Sequence, residues 1–165
     1  MLIQQEQAVF PLCDVNTAIT SSTELNSFSM KLYDHAAVFI QIASTLAFTT
    51  APEITVESAT SDSGDSADVT FHYSVNTASA ATLSTVMTYG ADATASTLTL
   101  SSAGDYAGHT LILQWDADEL RSTSLGAVYD WITVDIGQGV TTGTIAAWAI
   151  LSKPRYAGAS MPVAV

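Results

Sequence analysis

Ala36-Ala37-Val38-Phe39-Ile40-Gln41-Ile42-Ala43 decides the fold class of this 165-residue chain. Eight residues make too short a run for a core helix, and the β-branched and aromatic members favour a pleated strand. Apolar residues occupy both phases of the alternation, which predicts a central strand buried on both faces. Leu113 and Trp115 fall in phase with Leu111, so His109–Trp115 reads as a strand. Thr144–Ser152, rich in Ala and Ile with Trp148, reads as the last one, ended by Pro154.

Working outward, Glu53–Ala59 alternates Ile54 and Val56 with Glu53, Thr55 and Glu57, the mark of a half-exposed strand. Asp68–Val75 repeats the pattern with Val69, Phe71, Tyr73 and Val75. Thr94–Ser101 and Tyr129–Ile136 follow, and 78–95 is ambiguous. Met30–Tyr33 reads as a short strand and Asp34-His35 as a turn. Ser21-x-x-Glu24 matches a capping box, for which one or two helical turns or a loop both serve. No helix of three turns is predicted. Roughly eight to ten short strands at this spacing indicate an all-β, antiparallel sandwich of jelly-roll or Greek-key type.

Residues 1–16 are Gln-rich and then run Val9-Phe10-Pro11-Leu12. Two readings stand equal: an extended N-terminal arm preceding one sandwich domain over 17–165, or a first strand of that sandwich. As an arm, Val9, Phe10 and Leu12 would clamp the parent domain or a neighbouring subunit.

Composition excludes several functions. Four Lys and Arg stand against 16 Asp and Glu, a net charge of -12. Four cations cannot build a nucleic-acid interface, and an anionic membrane surface would repel the chain. With 48% hydrophobic and only 12% charged residues, the chain is too apolar for a disordered acidic tail. The single cysteine, Cys13, forms no intrachain disulfide and fits a reducing compartment during synthesis. The N-terminus has neither the basic start nor the apolar run of a signal peptide.

No catalytic or metal motif stands out. Asp62, Asp65 and Asp68 flank Gly64, but their spacing departs from an EF-hand and the closing Glu is missing; a solvated loop is the expectation. The same holds for Asp116, Asp118 and Glu119. His35, His72 and His109 lack metal-ligand spacing, and no Gly-x-Ser-x-Gly elbow marks a serine nucleophile. Trp115, Trp131 and Trp148 sit within strand patterns and are expected in the core. Lys153 and Arg155 hold two of the four cations, available to acids of a neighbouring copy or to solvent.

Four stretches, in order, resemble small structural proteins from the virion gene clusters of tailed bacteriophages: Tyr33-Asp34-His35-Ala36-Ala37-Val38-Phe39-Ile40-Gln41-Ile42, Glu57-Ser58-Ala59-Thr60-Ser61-Asp62-Ser63-Gly64-Asp65-Ser66-Ala67, Leu113-Gln114-Trp115-Asp116-Ala117-Asp118-Glu119-Leu120, and Ile150-Leu151-Ser152-Lys153-Pro154-Arg155-Tyr156-Ala157. The resemblance spans about residues 30–157 and omits the first sixteen. It implies a capsid decoration (cement) protein in the virion, made in the host cytoplasm. Such a protein binds the major capsid protein and copies of itself, as a trimer rather than a dimer, with no cofactor and no catalytic residue. The rival expectations are a tail, spike or fibre-base module binding a host glycan, and a β-sandwich hydrolase.

Overall fold

The computed structural model describes residues 7–62, 66–76, 93–120 and 129–155. Fifteen strands and one short helix are found there: β1 (Gln7–Pro11), β2 (Thr17–Ala18), β3 (Thr23–Glu24), β4 (Phe28–Ser29), β5 (Tyr33–Ile42), β6 (Ala47–Phe48), β7 (Glu53–Ala59), β8 (Ser66–Asp68), β9 (Phe71–Val75), β10 (Ala93–Ala95), β11 (Thr97–Thr99), α1 (Ala103–Tyr106), β12 (Thr110–Asp116), β13 (Trp131–Ile136), β14 (Val140–Thr142) and β15 (Thr144–Pro154). All pairings are antiparallel. The first sheet runs β1-β15-β5-β12-β9-β10, with β2 also on β15. The second runs β11-β7-β13-β3, with β4 on β13 and β8 on β7. β14 and β6 make a third, two-stranded sheet.

This is an antiparallel β-sandwich with the strand order of a jelly roll. The chain alternates between sheets: β1/β2 to β3/β4, β5 to β7, β12 to β13, then β15. β15 thereby lies between β1 and β5, and β13 between β3/β4 and β7, as in two interlocked Greek keys. β9 and β10 extend the first sheet beyond β12.

The inner faces meet in one hydrophobic cluster. Ala36, Val38, Ile40 and Ile42 of β5 and Ile145, Ala147, Ala149 and Leu151 of β15 face Ile54 and Val56 of β7 and Ile132, Val134 and Ile136 of β13. Trp115 is buried here to 1% exposure, stacked on Phe28 at 6.3 Å. A buried indole N–H needs an acceptor, and the Met30 sulfur supplies one: Trp115 Nε1 donates to Met30 Sδ at 2.9 Å.

The N-terminal segment takes the first-strand reading over residues 7–11, where β1 pairs with β15 from Gln7↔Ser152 to Pro11↔Trp148. Pro11 is tolerated because β1 is an edge strand. Leu12 is not available to a subunit partner. Its N–H donates to the Ala147 carbonyl, its own carbonyl accepts from Asn26, and its side chain is 2% exposed within the core. Burying it stabilises the fold by about 1.5–3 kcal/mol.

Other local expectations change for tertiary reasons. Ser21-x-x-Glu24 forms no helix; Thr23 and Glu24 are β3, held by the β13 edge. Asp34-His35 is no turn but the start of β5, because β15 and β12 extend far enough to pair with it. The reversal lies earlier, where Tyr33 N–H donates to the Met30 carbonyl. Asp68–Val75 breaks after Asp68, and the chain crosses from the second sheet to the first. The 78–92 part of the ambiguous stretch lies outside the described residues.

Exchanging Met30 for leucine conserves volume but leaves the Trp115 N–H without its acceptor. Met30→Leu is expected to cost about 1–3 kcal/mol in urea unfolding. A neutral result would show that the sulfur contact contributes nothing.

Candidate functional site

Strand alternation sends every second residue of the first sheet away from the core. The cross-strand register then assembles these residues into rows. One row is Ser152, His35 and Asp116 across β15, β5 and β12. The next is Val9, Ile150, Ala37, Gln114 and His72. The third is Pro11, Trp148, Phe39, Ile112 and Ser74. Gln41 and Thr110 close the face at the far end.

The middle rows are mostly apolar and only partly buried. Phe39 and Trp148 form their centre, with ring centroids 5.8 Å apart and planes within 4°. Val9, at the edge, is 57% exposed. The prediction that β5 is buried on both faces therefore holds for one face only. Trp148 and Trp131 likewise leave the core for the outer faces, because Ala147, Ala149, Ile132 and Val134 occupy the inward phase. Only Trp115 meets the core expectation.

Charge gathers at one end of this face. His35 Nδ1 donates to Asp116 Oδ1 at 2.8 Å, and Lys153 Nζ lies 3.6 Å from the same oxygen. Arg155 Nε meets Asp34 Oδ1 at 2.7 Å. His72 Nε2 lies 3.6 Å from Glu119 Oε1, and Glu119 Oε2 accepts the Asp116 backbone N–H. Lys153 and Arg155 thus pair with acids of their own chain. Alternation would carry Lys153 inward after Leu151; its left-handed backbone, φ 55°, turns the ammonium out instead. That conformation costs roughly 1–2 kcal/mol, less than burying an unpaired ammonium. Phe10 shares the inward phase of β1 with Ala8 but remains 37% exposed at the sheet edge.

Ser152, His35 and Asp116 are the residue types of an acyl-transfer triad, with the carboxylate on the expected ring nitrogen. The serine, however, makes no hydrogen bond to the histidine, and the row lies on an open sheet face. His109 is elsewhere, at the start of β12, and its buried Nδ1 has no partner.

The outer face of the second sheet differs. Glu24 stands opposite Asp135, and Glu57 opposite Asp68. Ser22, Glu24, Glu57, Thr133 and Asp135 line a depression of about 350 Å³. Among the described residues no three His, Cys, Asp or Glu are grouped to hold a metal ion. Asp62 lies in the turn after β7 and Asp68 in β8; Asp65 is outside the described residues. Among the described residues no helix is long and apolar enough to cross a membrane.

Reading residue by residue missed Phe39, Ile112, Trp148 and Ile150 as surface groups. The signal was present: strands apolar on both faces need a covering layer, and no helix of sufficient length was predicted to supply one.

No family model matches the chain, and no curated protein does. Among solved structures, the SPBc2 prophage-derived protein YomS is similar over 90% of this chain and 94% of its own, at 12% identity and a TM-score of 0.46.

The Asp116 carboxyl is held below its ordinary value, chiefly by the His35 hydrogen bond; burial opposes the shift, and the Lys153 ammonium adds to it. A carboxyl lowered in the folded state adds stability above its unfolded pKa, and that stability is lost as pH falls through the folded value. Asp116→Asn should cost about 0.5 kcal/mol at pH 7, as for an exposed ion pair. The gap from wild type should close as the pH drops below about 4. A gap unchanged at pH 3 would assign the loss to something other than the carboxylate charge.

Proposed function

We propose that this chain is a non-catalytic virion structural protein of a tailed bacteriophage, a decoration protein that reinforces the major capsid shell as a homo-oligomer. The observation that carries the reading is the contrast between its two outer faces. One is an apolar sheet surface centred on Phe39 and Trp148; the other is acidic. Three of the four stretches that resemble phage virion proteins lie on β5, β12 and β15, which are adjacent in the first sheet and build that apolar surface. The ionisable groups around it bond to one another rather than converge on a cavity, which suits adhesion better than turnover. On a repeating lattice many weak contacts of this kind add up to firm attachment.

A second reading has one observation in its favour. Trp148 lies on the surface, and an aromatic platform suits stacking on a sugar ring in a tail or spike module. Glycan-array binding abolished by Trp148→Ala would favour it.

Quantitative mass spectrometry of purified particles that encode this chain tests the first reading. On the order of hundreds of copies per particle are expected, in fixed ratio to the major capsid protein. A copy number in the tens points to the tail, and absence from particles overturns a virion role altogether.

A further inference from the structure

The outer face of the first sheet raises the question of what covers it. The second sheet contributes to the inner core cluster, and so do Ala103, Tyr106 and Ala107 at α1 and Phe48 and Val140 of the third sheet. Among the described residues, none of these supplies a layer on the Phe39–Trp148 side. We infer that this face is the contact between two copies of the chain, packed sheet against sheet about a two-fold axis. The inference rests on the homo-oligomer in the proposed function and names its surface.

Charge singles out this face. Two copies of a chain with net charge -12 repel each other over most approaches. A pair joined through the second sheet would oppose Glu24, Glu57, Asp68 and Asp135 to the same carboxylates. The middle rows of the first sheet carry no carboxylate. Most of the charge at its end is matched within the chain: Lys153 and His35 lie against Asp116, Arg155 against Asp34, and Glu119 beside His72. A surface that is apolar in the middle and mostly charge-paired at its border is complementary to itself. An identical face is therefore a partner that sets few unmatched carboxylates against each other.

Size agrees. Five strands about 4.8 Å apart and three rows about 6.8 Å apart give a footprint of roughly 500 Å² per copy, about 1,000 Å² for the pair, the lower bound for a specific contact.

The test is the solution mass of the full chain by light scattering and sedimentation, up to roughly 100 µM, where a contact of micromolar affinity is largely associated. The expected species has twice the 17.3 kDa chain mass, and added salt should tighten it by screening the overall repulsion. Trp148→Glu should weaken association at least about 30-fold, as at the centre of an interface. Val9→Glu changes a side chain already 57% exposed and should weaken it by a smaller factor while leaving the circular dichroism spectrum intact, so the test survives a misfolded Trp148 variant. Glu57→Lys, on the opposite face, should not weaken it. A monomer throughout, a trimer, or a dimer indifferent to both first-sheet variants overturns the inference. So does a monomer whose tryptophan fluorescence responds to glycan instead. Particle mass spectrometry is independent of these outcomes: a monomeric chain abundant in particles would sink this surface and spare the virion role.

Discussion

The ladder between β5 and β15 is the constraint on which the rest of the structure depends. It runs from Tyr33↔Pro154 to Ile42↔Ile145 through the middle of the first sheet. Its register sets Ala36, Val38, Ile40 and Ile42 beside Leu151, Ala149, Ala147 and Ile145 on the core side. The same register sets Phe39 on Trp148 outside. A slip of one residue would turn Phe39 and Trp148 into a core already filled and bring the smaller residues out. The apolar middle of the outer face is thus a consequence of the pairing that makes the core.

From that ladder the jelly-roll order follows outward. β1 and β2 add to the free edge of β15, and Leu12 leads the chain from there into the interior toward the second sheet. β12 adds to β5, carrying Trp115 inward to Met30 and Asp116 outward to His35. One alternating strand therefore delivers both the largest core residue and the acceptor of the charged row. The charged row sits where the β5, β12 and β15 ends coincide, so its ion pairs depend on the strand lengths as well as on the residues.

The two outer faces divide the chemistry of a very acidic chain. On the second sheet, like charges stand directly opposite one another across strands, an arrangement that costs stability but keeps that face hydrated. On the first sheet the carboxylates gather at one end, where Lys153 and Arg155 pair with Asp116 and Asp34. Three of the four cations lie at this end: Lys31 in the turn leading into β5, Lys153 on β15 and Arg155 just after it; the fourth, Arg121, lies outside the described residues. The result is a sandwich with one acidic outer face and one that is apolar in its middle.

Alternation and short apolar runs sufficed to read the β class, most strands, the sandwich and, among the described residues, the absence of long helices, because those depend on side-chain period over a few residues. Charge composition alone carries the expectation that nucleic acid and anionic membranes are not partners. Which phase of β5 and β15 faces inward was not legible, because both phases are apolar and only the opposing sheet chooses between them. The pairing of His35 with Asp116, 81 positions apart, and the core position of Leu12 are likewise products of register and strand order. Local sequence dictates what each strand can bury; long-range pairing decides what it leaves exposed.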